Sequence, residues 1–352
     1  MIIKSKDIKE NLIKYSQSIY DAIYKINLIK LKFLLVVNLN NSVVGTITDG
    51  DLRRALVNHK DLNESVFKIM NKKFTYSTKK INDQMGRLIL KKKIINFLPI
   101  LNENKKIKYL ITEDNNISSK PKKNKILFIA GGKGKRLMPL TKTTPKPLLR
   151  VKKNSIIHDL IISSIYQGFK NFIISVNYKA EKFLKIFEDG KNLNCNILYL
   201  KETKPLGTAG PITLLKKKDF DNNAMIVMNA DLITNINFSE LINFHNKNKN
   251  DFTVCIKNIS INIPYGEIEF EKKGIKKISE KPHKSYFINV GIYAISYNAI
   301  KNFKPGYLDM NDFINILIKK KMKVKHFPIY ENWHDIGNKL DFTKLKNEFS
   351  SV

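Results

Sequence analysis

The sequence predicts an α/β protein of two units: a small one in the N-terminal third, and a larger one on a mainly parallel sheet in the remaining two thirds. Three observations predict it. From residue 126 onward short apolar runs alternate with helical patterns, as strands joined by crossover helices do. A polar, charged stretch at 117–124 (Ile-Ser-Ser-Lys-Pro-Lys-Lys-Asn) reads as a linker. Before it, one segment repeats at a fixed offset.

The repeat comes first along the chain. Phe33 to Asp49 lies over Phe97 to Glu113 at an offset of 64 residues without a gap. Asn38, Asn40, Ile47 and Thr48 recur as Asn102, Asn104, Ile111 and Thr112. Each copy predicts strand, polar turn, strand and helix start. In the first copy, Thr48-Asp49-Gly50-Asp51 supplies capping side chains to a helix over Leu52–Leu56. Two such units packed together bury faces that neither buries alone.

In the larger part, strands are predicted at Ile126–Ile129, Phe172–Val176, Ile197–Leu200 and Met225–Met228. Helices are predicted at Ile156–Tyr166, Glu181–Phe187, Thr208–Leu215 and Phe238–His245, with Thr208 as a cap. Ligands of such sheets sit at the carboxyl ends of the strands. There the first strand runs into Gly131-Gly132-Lys133-Gly134, followed by Lys135, Arg136 and Lys146. Glycine backbones let N–H groups approach phosphate oxygens, and the cations neutralise what the loop holds. The spacing matches neither G-x-x-x-x-G-K-[ST] nor G-x-G-x-x-G, because Leu137 stands where the third glycine of the latter belongs. An ordinary glycine turn with a solvated basic flank is the bland alternative.

Composition narrows the function classes. The net charge of +32 comes from lysines spread along the whole chain, without an arginine-rich arm or an aromatic-interleaved basic patch. That pattern argues against a nucleic-acid binder and for a field that speeds the arrival of small anions. No apolar run approaches the ~20 residues needed to span a bilayer, so no membrane partner is expected. Met1 to Glu10 lacks the pattern of a secretory leader. Cys195 and Cys255 form neither metal spacing nor a disulfide framework. A cytoplasmic location is the default expectation.

The order Gly-Gly-x-Gly-x-Arg-Leu-x-Pro-Leu-Thr followed by Pro-Lys-Pro-Leu-Leu, over Gly131–Leu149, resembles the signature of the sugar-1-phosphate nucleotidyltransferases (nucleotide-sugar pyrophosphorylases). Further stretches resemble the same family in the same order. They are Glu202 to Pro211 (E-x-x-PLGTAG), Met228 to Leu232, Tyr265 to Phe270, Ile275 to Pro282, Phe287 to Tyr293 and Trp333 to Gly337. The resemblance implies a Rossmann-like nucleotidyltransferase domain over 125–352. It implies nucleotide contacts from Gly131, Gly132, Gly134, Glu202, Gly207 and Thr208. Gly266, Glu280, Lys281 and Asn289 would hold the sugar phosphate. Arg136 would bind the β- and γ-phosphates, Lys146 would stabilise charge at the reacting α-phosphate, and Asp231 with Asp335 would ligate Mg²⁺. The chain departs from the family pattern at Lys135, Pro211 and Ala230, where threonine, alanine and glycine are usual.

The first third resembles a CBS-domain pair over 1–116, best at Gly45 to Leu56. That resemblance implies a regulatory adenine nucleotide held by Thr48 and Asp49; a pair used only for packing or for contacts between identical chains in a homo-oligomer is the alternative. The second copy has Glu113-Asp114 at the matching place. The combined layout is similar to that of GDP-glucosamine pyrophosphorylases of bacterial legionaminic (nonulosonic) acid synthesis. It implies nucleotide-sugar synthesis from GTP and glucosamine 1-phosphate with release of pyrophosphate. Mannose-1-phosphate guanylyltransferase and glucose-1-phosphate thymidylyltransferase activities are the alternatives within the family. A non-catalytic nucleotide sensor is the alternative outside it. The nucleophile of such a transfer is a phosphate oxygen already anionic near neutral pH, so no Ser/His/Asp or Cys/His set is needed.

Overall fold

The computed structural model describes residues 2–29, 31–58, 60–93, 95–112, 121–151 and 153–350. The chain divides into two compact units, Met1–Ile117 and Ser118–Val352.

The first unit contains β1 (Ile2–Lys4), β2 (Leu12–Lys14), α1 (Ile19–Leu28), β3 (Phe33–Val37), β4 (Val43–Thr48), α2 (Asp49–Val57), α3 (Asp83–Lys93), β5 (Phe97–Leu101) and β6 (Ile107–Thr112). They form two three-stranded sheets, β2-β3-β4 and β1-β6-β5. The repeat governs the details. Phe33 pairs with Thr48, and Phe97 with Thr112. A bulge follows Val36 in one hairpin and Ile100 in the other, again 64 residues on. Asn38 Oδ1 accepts from the Asn40 and Ser42 N–H groups, and Asn102 Oδ1 from Lys106 N–H, so each hairpin turn is closed by the same residue type. Where the copies meet, the Phe33 and Phe97 rings stack with centroids 3.7 Å apart. The helix expected over Leu52–Leu56 extends to Asp49–Val57 and opens on a Thr48/Asp51 capping box. The helix start expected at Glu113-Asp114 lies outside the described residues.

The second unit is a three-layer α/β sandwich. Its sheet runs β16-β12-β15-β10-β7-β8-β9, where β7 is Lys122–Ile129, β8 Phe169–Val176, β9 Asn196–Lys201, β10 Met225–Asn229, β12 Phe252–Asn262, β15 His283–Ile295 and β16 Val324–Ile329. β10, β7, β8 and β9 are mutually parallel, as are β12 and β16; β15 runs antiparallel to both of its neighbours. Strand alternation sends Ile126 and Phe128 to one face and Leu127 to the other. On the first face they meet α5 (Ile156–Tyr166), α6 (Ala180–Phe187) and α8 (Phe238–Lys247); on the second, α9 (Met310–Lys319). Each fully buried phenylalanine or isoleucine contributes roughly 2 kcal/mol. The short helices α4 (Leu140–Thr143) and α7 (Lys217–Phe220), the hairpin β13 (Glu267–Glu271)–β14 (Gly274–Ser279), the pair β11 (Leu232–Thr234)–β17 (Trp333–Asp335) and α10 (Lys339–Ser350) complete it.

Two elements differ from those expected of the sequence. The first strand begins at Lys122, inside the expected linker. Asn124 is buried and donates to Ala224 O at 2.6 Å, and Lys125 pairs with Asp221 at 2.9 Å, so polar side chains complete a strand that lacks an apolar pattern. Residues 117–120 of the expected linker lie outside the described residues. The second difference is Thr208–Leu215, which is no α-helix; only Gly210–Leu214 forms a 3₁₀ turn. The Ala209 and Gly210 N–H groups donate to Leu308 O at 2.9 and 3.0 Å, so a distant segment takes the bonds a helix would need.

His245 on α8 is 1% exposed and lies 2.8 Å from both Thr253 Oγ1 and Ser296 Oγ. Ser296 Oγ donates to Asn250 O, which leaves it an acceptor for the imidazole and places a proton on Nε2. Burial pushes this histidine down to about 4, against a weaker opposing pull from Asp251. Its native value lies below its unfolded one, so the unfolded chain binds the extra proton first as pH falls. Stability is therefore full above about pH 6.5 and erodes toward pH 4, by about 2 kcal/mol between pH 7 and 5. Urea unfolding of wild type and His245→Gln at those two pH values checks this. The wild type should lose more stability than the variant; equal losses would refute the assignment.

Candidate active site

Between β7 and β10 the connections leave in opposite directions, and ligands of such sheets sit in the crevice outside that switch point. A cleft of about 530 Å³ opens there. Its floor is formed by two strand ends, Ile129-Ala130-Gly131 from β7 and Asn229 with Asp231 from β10.

The glycine loop forms one wall. Gly134 has φ +61°, and a Cβ there would lie 2.9 Å from Thr141 Cγ2 and 3.2 Å from Lys146 Cβ. Only glycine fits that turn, and Thr141 Oγ1 fastens it by donating to Gly134 O at 2.9 Å. Tyr178 Oη reaches the Thr141 and Lys142 carbonyls at 3.1 and 3.0 Å and steadies the loop from outside. Gly131, Gly132, Lys135 and Arg136 line the cleft with it.

Lys146 is 8% exposed and reaches two carboxylates. It donates a short hydrogen bond to Asp231 Oδ2 and lies 3.5 Å from Asp335 Oδ1. These acids are about a hundred residues apart in sequence. The β11–β17 pairing brings them together, because Asp335 sits opposite Leu232, the neighbour of Asp231. Burial, and then the Asp231 charge, hold the Asp335 carboxyl above the usual carboxylate range, against the pull of Lys146 and Arg136. The two cations thus do not fully offset burial and the Asp231 charge, a setting that favours a further cation.

Glu202 is 8% exposed and sits behind the loop. Its Oε1 accepts from Ser175 Oγ at 2.5 Å and its Oε2 from Leu206 N–H at 3.2 Å. A Cβ on Gly131 would fall 2.4 Å from Oε1, so this carboxylate packs directly on the loop. Pro205 to Thr208 and Tyr307 also line the cleft. Gly207 has φ +78°, and a Cβ there would lie 2.6 Å from Leu308 O. Thr208 caps a helix other than the one expected: its Oγ1 accepts from Met310 N–H at 2.8 Å, at the start of α9.

The cleft therefore gathers Gly131, Gly132, Gly134, Arg136, Lys146, Glu202, Gly207, Thr208, Asp231 and Asp335. The residues expected for the sugar phosphate do not line it. Glu280 Oε2 lies 3.5 Å from where a Gly266 Cβ would stand, and Lys281 N–H donates to Tyr265 O at 3.2 Å, so these three sit together at the β13–β14 hairpin. Asn289 Oδ1 accepts from Gly291 N–H at 3.0 Å on β15. Sequence reasoning missed Asn229, Tyr307 and Gly337, which also line the cleft. Asn229 could have been noticed as the neighbour of Asp231 at the strand end; Tyr307 carried no local signal. In the first unit, Thr48 Oγ1 donates to Asp51 Oδ2 at 2.7 Å, and Arg53 binds Asp49 through two bonds of 2.6 and 2.9 Å. Both residues expected to hold a nucleotide there are thus engaged with side chains of α2.

Residues 125–351 match the family model for nucleotidyl transferases, and residues 7–58 match the CBS domain model. Among curated relatives, a mannose-1-phosphate guanyltransferase of Yarrowia lipolytica is 32% identical over 61% of this chain and 61% of its own length. The chain spans about three fifths of the length of the curated relatives it matches. Among solved structures, HddC from Yersinia pseudotuberculosis superposes with a TM-score of 0.52 at 23% identity, covering 64% of this chain and 99% of that one. A putative glucose-1-phosphate thymidylyltransferase from Bacillus anthracis superposes at 0.53 with 22% identity, covering 65% and 96%. At these identities the two structures speak to the fold. Among the described residues no helix is long and apolar enough to cross a membrane.

Proposed function

The chain belongs to the nucleotidyl transferase family, and from that premise we propose that it transfers a nucleoside monophosphate from GTP to a hexose 1-phosphate and releases pyrophosphate. The observation that carries the reading is the meeting of Arg136, Lys146, Asp231 and Asp335 in one glycine-lined cleft. A phosphate oxygen of the sugar 1-phosphate attacks the α-phosphorus of the triphosphate. A new P–O bond forms, the bond from the α-phosphorus to the bridging oxygen breaks, and pyrophosphate leaves with the electron pair. The attacking phosphate has a second pKa of about 6, so no residue need remove a proton. The glycine-loop amides and the Arg136 fork hold the triphosphate tail. Lys146 carries positive charge beside the reacting phosphorus. Lys281 would offer a point charge to the sugar phosphate, and Glu280 and Asn289 would accept from or donate to its hydroxyls. Catalysis is then positioning and charge neutralisation.

The acidic pair fits a magnesium ion. Asp231 and Asp335 are hard oxygen donors with charge to spare, and Mg²⁺ is commonly held by one or two carboxylates plus substrate phosphates. Among the described residues no cluster of three or more His, Cys, Asp or Glu could cage a metal alone, so substrate oxygens would complete the shell. When bound, the ion would supply charge stabilisation to the phosphates.

Two observations favour GTP. The Glu202 carboxylate is acceptor-only and borders the cleft, which suits the N1–H and N2–H donors of guanine. The curated relative quoted is a mannose-1-phosphate guanyltransferase by name. Glucosamine 1-phosphate, a role in legionaminic acid synthesis and assembly of identical chains rest on the layout of the sequence. For the first unit, the engagement of Thr48 and Asp49 with side chains of α2 favours a packing role; an adenine nucleotide there would have to displace the Arg53 guanidinium. A pyrophosphate-release assay over four triphosphates and a panel of hexose and hexosamine 1-phosphates tests the reading. GTP should be the best donor by about tenfold or more. Preference for a pyrimidine triphosphate would overturn the base assignment, and no release from any pair would overturn the transferase reading.

A further inference from the structure

One aromatic ring in the cleft has no part in the scheme above. Tyr307 lines the cleft and is 66% exposed, yet its backbone is tethered on both sides. On one side Gly306 N–H donates to Thr213 Oγ1 at 3.3 Å. On the other, Leu308 N–H donates to Leu206 O at 2.9 Å, and Leu308 O accepts from Ala209 and Gly210. A side chain on Gly210 would fall 2.6 Å from Gly306 O, so the two segments are in close backbone contact. The ring is tethered at its far end as well. Tyr307 Oη donates to Asp309 Oδ2 at 2.8 Å, and Asp309 Oδ1 accepts from Thr208 N–H at 3.3 Å.

An exposed tyrosine held at backbone and hydroxyl alike has given up part of its conformational freedom before any ligand arrives. That is how a flat surface binds a flat partner at small entropic cost. The proposed transfer brings together two kinds of ring, a nucleobase and a hexose. The residues expected for the hexose phosphate lie at the β13–β14 hairpin and on β15, outside the lining of this cleft. Those expected for the nucleotide, Gly207, Thr208 and Glu202, share the cleft with Tyr307.

We propose that Tyr307 is a stacking platform for the purine base of the incoming triphosphate, an assignment that rests on the triphosphate reading above. The ring covers one face of the base while Glu202 accepts from its edge. A purine offers more area to the ring than a pyrimidine, so Tyr307 adds to the discrimination between them.

Calorimetric titration of the full chain with GTP and with UTP, magnesium present, tests this in wild type, Tyr307→Ala, Tyr307→Phe and Tyr307→Leu. The Ala and Leu variants should bind GTP about tenfold more weakly, and UTP weaker by no more than about threefold. The Phe variant keeps the ring and should stay within about threefold of wild type for GTP. At saturating GTP, the KM for the sugar 1-phosphate should not move in the Ala variant. Unchanged GTP affinity in both Ala and Leu would overturn the platform, as would a rise confined to the sugar-phosphate KM. Tyr307 is exposed, so unfolding is not expected, and thermal melts of all three variants verify that. A wild type that binds GTP but releases no pyrophosphate would overturn the transferase reading while leaving the platform to the affinity ratios. A wild type that binds no triphosphate would overturn both.

Discussion

Asp231→Asn should lower turnover by about 10³-fold, roughly 4 kcal/mol of barrier, with the fold intact. Asparagine has the size of aspartate and keeps an oxygen for the Lys146 ammonium. What it loses is the charge that, with Asp335, makes the cleft attractive to a divalent cation. Asp231 lies at a strand end with a partly exposed side chain, and Lys146 retains Asp335 as partner. The melting temperature should therefore move by only about 3 °C, the equivalent of about 1 kcal/mol. Wild type should gain thermal stability when magnesium is added with GTP, and the variant should gain less. Circular dichroism melts and the pyrophosphate assay read both arms. Wild-type turnover in the asparagine variant would end the assignment of this carboxylate.

Lys146→Ala should behave differently, because this residue has two tasks. As a charge beside the α-phosphate its loss should lower turnover by about 10²- to 10³-fold. As the ammonium between Asp231 and Asp335 its loss should also weaken the fold. Asp335 is already held above the usual carboxylate range by burial and by Asp231, and Lys146 is among the groups opposing that. Without it two carboxylates face each other, half-shielded from water. A cost of about 2 kcal/mol is expected in magnesium-free buffer. Added magnesium should restore part of this loss, so the cation should raise the melting temperature of the variant more than that of wild type. An equal shift in both would show that lysine and metal do not compete for the same carboxylates.

Some of the fold was legible because it depends on near neighbours. Apolar alternation places Ile126, Leu127 and Phe128 in a strand whichever domain surrounds them. The repeat of Asn38 as Asn102 and Phe33 as Phe97 showed two hairpins, since turn chemistry and strand register are local. The start of the first strand was missed because Lys122 and Asn124 are polar, and their partners, Gly168 and Ala224, are far along the chain.

The sequence by itself determined which kinds of group could be offered: a glycine turn that only Gly134 can make, cations that follow it, and acids at the ends of short strands. Tertiary structure decided which of them meet. Asp231 and Asp335 come together only because β11 pairs with β17. Thr208 caps α9 rather than its own segment because Leu308 takes the neighbouring amides. Tyr307 faces the cleft because that same contact holds its backbone. The physical reason is one of range. Propensity, capping and turn geometry act over a few residues, whereas a hydrogen-bond donor takes whichever acceptor the folded chain brings within about 3 Å.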